Sequence, residues 1–183
     1  MEKKDFQVGL DNILSENFSK KDCYIASTSG SSGHPFYFAK DKYTHARVWA
    51  FWKIRYEELG LDFNSLEARF YGIPKESIGN FTERAKDYIL NRKRFPIFDL
   101  SDEKMEGFIT YFKNYSFDYI YGYTSAIVYF SRYLIKKGVL LTHICPSIKL
   151  VIATAEVCAN EDRDIIERGI GVKIYSEYGT SEV

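Results

Sequence analysis

The sequence predicts an α/β fold in which a parallel-rich sheet is flanked by helices. The final third of the chain alternates apolar, strand-like runs with helical runs at short spacing, which is typical of a parallel sheet with helices on its faces. The chain has 183 residues, and 45% of them are apolar, which is enough for one packed domain. We therefore predict one α/β domain over 1–183.

The first half of the chain is predicted to form short strands and one long helix around a polar loop. Asp41 is a suitable N-cap for the long helix, and Gly60 ends it. Trp49 and Trp52 widen the apolar side of this helix, and we interpret that side as core rather than as a platform for a ligand. The predicted elements are a short helix (6–18), a strand (23–26), a loop (27–35), a strand (36–38), the long helix (42–59) and a strand (67–72).

The stretch 73–98 receives no secondary structure from its pattern. Pro74, Gly79 and Pro96 interrupt it. We interpret it as solvated surface with a loop, and the alternative is a basic patch that meets an anionic substrate or a partner. Its basic residues are Arg84, Lys86, Arg92, Lys93 and Arg94.

Strands and helices alternate in the second half. Ser101 is a suitable N-cap, and Gly138 and Gly169 are predicted to end the two later helices. Ligands of parallel sheets bind beyond the carboxyl ends of the strands, so 122–125, 155–156 and 178–182 are predicted to surround one crevice. The elements are a helix after Ser101 with Met105, Phe108, Ile109 and Phe112 on its buried face, then a strand (118–121), a helix (124–137), a strand (149–154), a helix (160–168) and a strand (172–175).

A loop of hydroxyl and glycine residues lies between the first two strands, and we interpret it as a phosphate site. Glycine allows close approach of the backbone, while hydroxyls and successive N–H groups can surround an anion. The loop does not have the Walker spacing, and the chain has no Gly-x-Ser-x-Gly motif. The alternative is a flexible Ser/Gly loop without a ligand. The loop residues are Thr28, Ser29, Gly30, Ser31, Ser32 and Gly33.

Composition argues against several other classes of protein. The 25 basic and 25 acidic residues balance, so neither a nucleic-acid footprint nor a membrane-surface patch is predicted. The three cysteines are widely spaced and the three histidines lack ligand spacing, so we expect reduced thiols and no structural zinc. The charged start is unlike a signal peptide, and Ser131 and Arg132 break the apolar run 126–134. We therefore expect a cytoplasmic protein without a membrane span.

Two motifs, in this order, resemble those of adenylate-forming (AMP-binding) enzymes. Residues 28–35, Thr-Ser-Gly-Ser-Ser-Gly-His-Pro, are similar to the phosphate loop of that superfamily, and 178–182, Tyr-Gly-Thr-Ser-Glu, resemble its Tyr-Gly-x-Thr-Glu signature. Residues 122–125 and 149–156 are similar to the phenylacetate–CoA ligase branch, which includes CapK-like capsular polysaccharide biosynthesis proteins and acyl-protein synthetases. The resemblance runs from about residue 23 to the end of the chain. It implies activation of a carboxylate by ATP as an acyl adenylate.

The resemblance also assigns roles to individual residues. Glu182 would be the catalytic acid that ligates Mg²⁺, whose oxygen preference suits a carboxylate, and Ser181 would lie beside the α-phosphate of ATP. Tyr178, followed by Gly179, would stack on adenine, and Glu156 would lie at the adenine site. The blander interpretations are a core tyrosine at 178, a solvated acid at 182 and a turn cap at 156.

The acid and its acceptor are less defined by the resemblance. Tyr123 and Ser125 would lie near the acyl pocket. The implied partners are ATP or AMP, a small carboxylic acid, and coenzyme A or another thiol, with ATP and Mg²⁺ as the cofactors. Nothing in the sequence identifies the acid.

The chain departs from the family pattern in several ways, and one is that His34 stands where many relatives carry Lys, so a fixed positive charge on the loop is missing at neutral pH. Ala155 replaces a glycine, which would narrow the approach to adenine. The ribose-binding Asp, the hinge and the mobile C-terminal domain of the family follow the second signature, whereas this chain stops at Val183. We therefore expect a partial N-terminal, AMP-binding domain without its C-terminal domain. A sheet that stops there would leave an unpaired edge, which favours a homo-oligomer.

Three functions compete on this basis. The first is the core of an adenylate-forming, acyl-CoA-ligase-like enzyme, in which transfer to a thiol needs the absent part. The second is a non-catalytic nucleotide-binding or docking module of the same fold. The third is an unrelated phosphate-binding domain.

Overall fold

A computed structural model describes residues 9–12, 14–27, 37–72 and 77–179 of the chain. The chain divides into two compact units, Met1–Gly60 with Gly179–Val183, and Leu61–Tyr178. The helices are α1 (Lys42–Glu58), α2 (Ser77–Ile89), α3 (Asp102–Asn114), α4 (Thr124–Lys136), α5 (Leu141–Ile144) and α6 (Asn160–Ile170). The strands are β1 (Cys23–Ser27), β2 (Tyr37–Asp41), β3 (Glu67–Phe70), β4 (Arg92–Phe95), β5 (Tyr119–Tyr123), β6 (Leu150–Thr154) and β7 (Ile174–Ser176).

The first unit contains an antiparallel hairpin and the long helix. Strands β1 and β2 pair from Cys23 opposite Asp41 to Ser27 opposite Tyr37, so the predicted strands on either side of the polar loop are confirmed. Asp41 caps α1 as predicted, because its Oδ1 accepts the Thr44 N–H at 2.8 Å. Gly60 follows the helix with a φ of +75°, a left-handed conformation that favours glycine.

Two predictions for this unit are wrong. Within its described part, the predicted helix 6–18 has one 3₁₀ turn, Leu10–Asn12, and Gly9 precedes it with a φ of +99° that an α-helix does not accept. The apolar side of α1 is not core, since none of its residues is buried and Phe51 is 62% exposed. His45, Trp49, Trp52 and Tyr56 share one face of α1 and contact one another along it, as Trp52 does on Tyr56 at 5.7 Å, but none of them is buried.

The second unit is built on a five-stranded parallel sheet with the order β4-β3-β5-β6-β7. All four strand pairs are parallel, which confirms the predicted α/β class and the parallel-rich sheet. The β3–β5 register places Phe70 opposite Gly122, and the β5–β6 register places Tyr123 opposite Thr154. Strands β5, β6 and β7 therefore end at the same edge.

One face of this sheet carries the hydrophobic core. Phe70 and Phe95 stack with ring centroids 4.9 Å apart, and Phe108 of α3 meets both rings edge-on. The predicted buried face of α3 is confirmed. Aromatic pairs of this geometry add to the stability that burial itself provides. Other buried core residues are Ala68, Ile120, Val151, Ala153, Ile127, Phe130, Leu134, Ile165, Ile166 and Ile170.

The stretch that the sequence left unassigned contains α2 and β4. Strand β4 reads Arg-Lys-Arg-Phe, so it lacks the apolar alternation of a strand, and it lies at the end of the sheet order. Both arginines of β4 are ion-paired within the unit: Arg94 with Asp87 at 2.8 Å and Glu83 at 2.9 Å, and Arg92 with Glu67 at 3.2 Å. Arg94 is largely buried, so this residue is not part of a solvated surface. These two arginines are therefore not free to meet an anionic ligand.

Helix α6 runs two residues beyond its predicted end. Gly169 lies inside the helix, and the chain leaves it at Gly171, whose φ is +94°. A Cβ at Gly169 would lie 2.7 Å from the carbonyl oxygen of Ser131, so glycine is needed here for the close packing of α6 on α4. Gly138, with a φ of +67°, follows α4 as predicted. Among the described helices, none is long and apolar enough to cross a membrane.

Candidate functional site

Two of the three predicted site segments meet at the carboxyl edge of the sheet. Ser125, in the first turn of α4, donates its N–H to Glu156 Oε2 at 2.7 Å and its hydroxyl to Oε1 at 3.0 Å. The Thr124 hydroxyl donates to the main-chain carbonyl of Glu156 at 3.4 Å. Glu156 thus caps a helix, although the helix is α4 and not the turn that follows Glu156 in sequence. Its carboxylate satisfies an N–H that helix geometry leaves unpaired.

Ala155 gives the loop after β6 its shape. Its φ is +66°, a left-handed conformation that costs an L-residue about 1–2 kcal/mol. Glycine would adopt this conformation without strain. The alanine at 155 therefore affects the backbone geometry of this loop.

The other face of the sheet is polar and aromatic near the same edge. The guanidinium of Arg69 contacts the rings of Tyr71 and Tyr121, at 4.6 and 4.8 Å from their centroids. The ring of Tyr123 lies 4.4 Å from that of Tyr71. These contacts hold the tyrosines at the carboxyl ends of β3 and β5 in a fixed arrangement.

Glu177 adds an acid to this aromatic group. Its N–H donates to the Ala153 carbonyl at 2.8 Å, which extends the β6–β7 pairing to the residue before Tyr178. Burial raises the pKa of the Glu177 carboxyl above its ordinary value, and the hydroxyl of Tyr121 and the charge of Arg69 oppose that shift. Its Oε2 is buried and has no hydrogen-bond partner among the described residues. Burial also raises the pKa of Tyr121.

A buried acid anchors the other end of this polar face. Glu67 is 2% exposed, and its Oε1 accepts from Arg69 at 2.7 Å. Its Oε2 accepts the hydroxyl of Tyr119 at 2.8 Å and lies 3.2 Å from Arg92 Nε. Burial raises the pKa of Tyr119, and the Glu67 charge raises it further. Three strands are therefore joined by one buried ionic network.

Helix α6 holds β7, the strand that leads to the second signature. Arg163 donates to the Ile174 carbonyl at 3.1 Å and to the hydroxyl of Ser176. Glu167 accepts the Ile174 N–H at 3.3 Å. Both main-chain groups of Ile174 are thereby used, which weakens the physical reason for self-association through a free edge at β7.

The remaining predicted site residues are placed only in part. Tyr178 follows β7 and is 93% exposed, so it is not a core tyrosine. Gly179 follows it and ends the described residues. No group of three or more His, Cys, Asp or Glu side chains within the described ranges could hold a metal ion. The phosphate loop residues and the predicted catalytic pair lie outside the described residues: Thr28, Ser29, Gly30, Ser31, Ser32, Gly33, Ser181 and Glu182.

Sequence reasoning missed the residues that support the edge. Arg69, Glu177 and Arg163 were not candidates. The sequence does contain a signal for Arg69. Residues 67–71, Glu-Ala-Arg-Phe-Tyr, and 119–123, Tyr-Ile-Tyr-Gly-Tyr, alternate with period two, which places their polar and aromatic side chains on one face of the sheet. No comparable pattern marks Glu177 or Arg163.

Replacing Glu177 with Gln is expected to raise the free energy of unfolding by about 1 kcal/mol at neutral pH, because an ionised, incompletely paired carboxylate is removed. The folded protein binds the Glu177 proton more tightly than the unfolded chain does, so wild type gains stability as the pH falls through the range of the raised pKa. The advantage of E177Q should therefore shrink towards about pH 4. Urea unfolding at neutral pH and at about pH 4 measures the difference in stability between E177Q and wild type, with the exposed Glu57→Gln as control. An advantage that grows on acidification would contradict this assignment.

Comparisons with known proteins identify the fold. No protein-family model and no curated protein matches the chain. A 2-hydroxyisobutyryl-CoA ligase, crystallised in the postadenylation state with 2-HIB-AMP, matches at a TM-score of 0.57 and 17% identity over 89% of this chain and 34% of its own. The Vibrio cholerae adenylation domain AlmE, in complex with glycyl-adenosine-5'-phosphate, matches at 0.53 and 14% identity, over 87% and 28%.

A luciferase-like enzyme from the mealworm Zophobas morio also matches, at a TM-score of 0.56 and 12% identity over 96% of this chain and 39% of its own. These structural neighbours are adenylate-forming enzymes. The chain spans about a third of their length. It therefore has the α/β fold of part of the N-terminal domain of adenylate-forming enzymes.

Proposed function

We propose that this chain is the nucleotide-binding core of an ATP-dependent, carboxylate-activating protein, a partial N-terminal domain of acyl-CoA-ligase type. The observation that carries the proposal is the contact between Ser125 and Glu156, two predicted site residues, at the carboxyl edge of a parallel sheet. In sequence, residues 28–33 lie between β1 and β2, and the second signature begins two residues after β7. Ligands of parallel sheets bind at this edge.

The reaction needs a site that orients two anions. A carboxylate oxygen forms a bond to the α-phosphorus of ATP, the bond from that phosphorus to the bridging oxygen breaks, and pyrophosphate leaves. The loop hydroxyls and N–H groups of 28–33 would bind the β- and γ-phosphates, since such charge-assisted hydrogen bonds contribute about 1.5–3 kcal/mol each. Ser181 would contact the α-phosphate.

The rest of the site would hold the adenine, the metal and the acid. Tyr178 is exposed and therefore free to stack on adenine beside Gly179. The carboxylate of Glu182 would hold Mg²⁺, which neutralises phosphate charge when it is bound. Tyr123 and Ser125, at the end of β5 and the start of α4, would lie towards the acid.

The finer assignment follows the similarity of 122–125 and 149–156 to the phenylacetate–CoA ligase branch. We place the chain with its CapK-like members, as a cytoplasmic protein that acts on a small carboxylic acid and on coenzyme A or another thiol.

Titration calorimetry with Mg-ATP, and with AMP in parallel, tests the function. Saturable binding is expected, and Ser29→Ala or Ser31→Ala should weaken it about tenfold through the loss of one phosphate hydrogen bond. Ser15→Ala, an exposed serine outside the loop, is the matched control. Wild-type affinity in both loop variants would contradict the phosphate-loop assignment. Binding without acyl-adenylate formation, assayed with added carboxylic acids, would favour the non-catalytic module.

A further inference from the structure

Glu156 connects two parts of the carboxyl edge that lie 31 positions apart in sequence. Its carboxylate takes both the N–H and the hydroxyl of Ser125, at 2.7 and 3.0 Å, and its carbonyl accepts from Thr124 at 3.4 Å. The side chain and the main chain of one residue are therefore bonded to the first two residues of α4. The loop after β6 and the start of α4 are joined through this residue.

The backbone next to Glu156 depends on this link. Ala155 is held at a φ of +66°, which a non-glycine residue adopts only where its surroundings enforce it. The following residue supplies the constraint, because its carboxylate and its carbonyl are both anchored to α4. Without the anchor, Ala155 would relax towards an ordinary conformation and the main chain of 155–156 would move.

We propose that Glu156 is a positioning residue that acts through Ser125, and that its carboxylate does not itself contact the nucleotide. Each carboxylate oxygen already accepts a hydrogen bond from Ser125, which fixes the carboxylate against the start of α4. The group that contacts adenine is then the main chain of 155–156, which the start of α4 holds in place. This inference rests on the proposed nucleotide-binding function and deepens it.

The proposal differs from direct contact in a way that a double-mutant cycle can measure. If the carboxylate touched the nucleotide, any effect of Ser125 on nucleotide affinity would arise separately, and the effects of changing the two residues would multiply. If Glu156 acts through Ser125, removal of either partner breaks the same link. The second substitution then adds little to the first.

The experiment compares Mg-ATP affinity, by calorimetry, in wild type, Glu156→Ala, Ser125→Ala and the double variant. E156A is expected to weaken binding about tenfold and S125A about threefold, and the double variant should match E156A. Glu156→Gln should recover most of the affinity, because its amide oxygen still accepts the Ser125 N–H. Glu161→Ala, in the first turn of α6, is the matched control and should bind as wild type does.

Amide hydrogen exchange at Ser125 tests the link without a ligand. Protection is expected in wild type and E156Q, with loss of protection in E156A. A double variant weakened by the product of the single effects overturns the positioning role, as does E156Q binding as weakly as E156A. If E156A loses protection of the Ser125 amide but keeps wild-type Mg-ATP affinity, the link has a structural role only and the positioning role is overturned. Absence of Mg-ATP binding in wild type overturns the proposed function and this inference together.

Discussion

Gly122→Ala is expected to destabilise the protein by about 3 kcal/mol or more. A Cβ at this position would lie 2.3 Å from the carbonyl oxygen of Phe70 and 2.7 Å from its Cβ. The nearest atom belongs to the backbone of the adjacent strand, so it cannot turn away as a side chain would. Strands β3 and β5 would have to separate at the edge where the site lies. Urea unfolding measures the loss.

Gly107→Ala is the matched control for this prediction. Gly107 is an exposed residue inside α3, and a Cβ there would meet no atom within 4 Å. Alanine is the better helix former, so this variant should be more stable than wild type by about 0.5–1 kcal/mol. Equal stability of the two alanine variants would show that the close approach of β3 and β5 is not required.

Glu67→Gln is expected to cost about 3–5 kcal/mol of stability, since it leaves two arginines without their buried counter-charge. Glu67 is 2% exposed, accepts hydrogen bonds from Arg69 and Tyr119, and forms an ion pair with Arg92. Glutamine retains the size and one acceptor oxygen, so the loss reports charge and hydrogen bonding instead of a cavity. Thermal or urea unfolding provides the measurement.

Glu58→Gln is the control for charge removal at the surface. Glu58 pairs with Arg55 at 2.8 Å, but both side chains are more than half exposed. Such pairs contribute at most about 1 kcal/mol. If E67Q cost no more than E58Q, the buried network would not hold the three strands together, and the polar face would need another explanation.

The buried face of α3 and the N-cap of α1 were the most predictable parts of the fold. Met105, Phe108, Ile109 and Phe112 recur at helical spacing, and all four are buried on α3. Asp41 caps α1 through the Thr44 N–H because a cap involves residues three positions apart. Local spacing is sufficient in both cases, since the interacting groups lie within a turn or two of one helix.

Strand β4 and the interior position of Gly169 were not predictable in this way. In sequence, β4 resembles a basic surface stretch and not a strand. Its arginines are neutralised by Glu67, Glu83 and Asp87, which belong to other elements. Gly169 resembles a helix terminator in sequence, but it is a contact point for Ser131 of α4. Neither partner can be identified from spacing along the chain.

The sequence by itself determined the α/β class, the order of the motifs and the two residues, Ser125 and Glu156, that meet at the carboxyl edge. Apolar periodicity and parallel-sheet topology depend on local pattern, and a sheet brings successive strand ends to one side. Only the tertiary structure decided that Glu156 caps α4, that Ala155 is left-handed and that Glu177 Oε2 is buried without a hydrogen-bond partner among the described residues. These properties depend on distances between side chains far apart in sequence, and packing alone sets those distances.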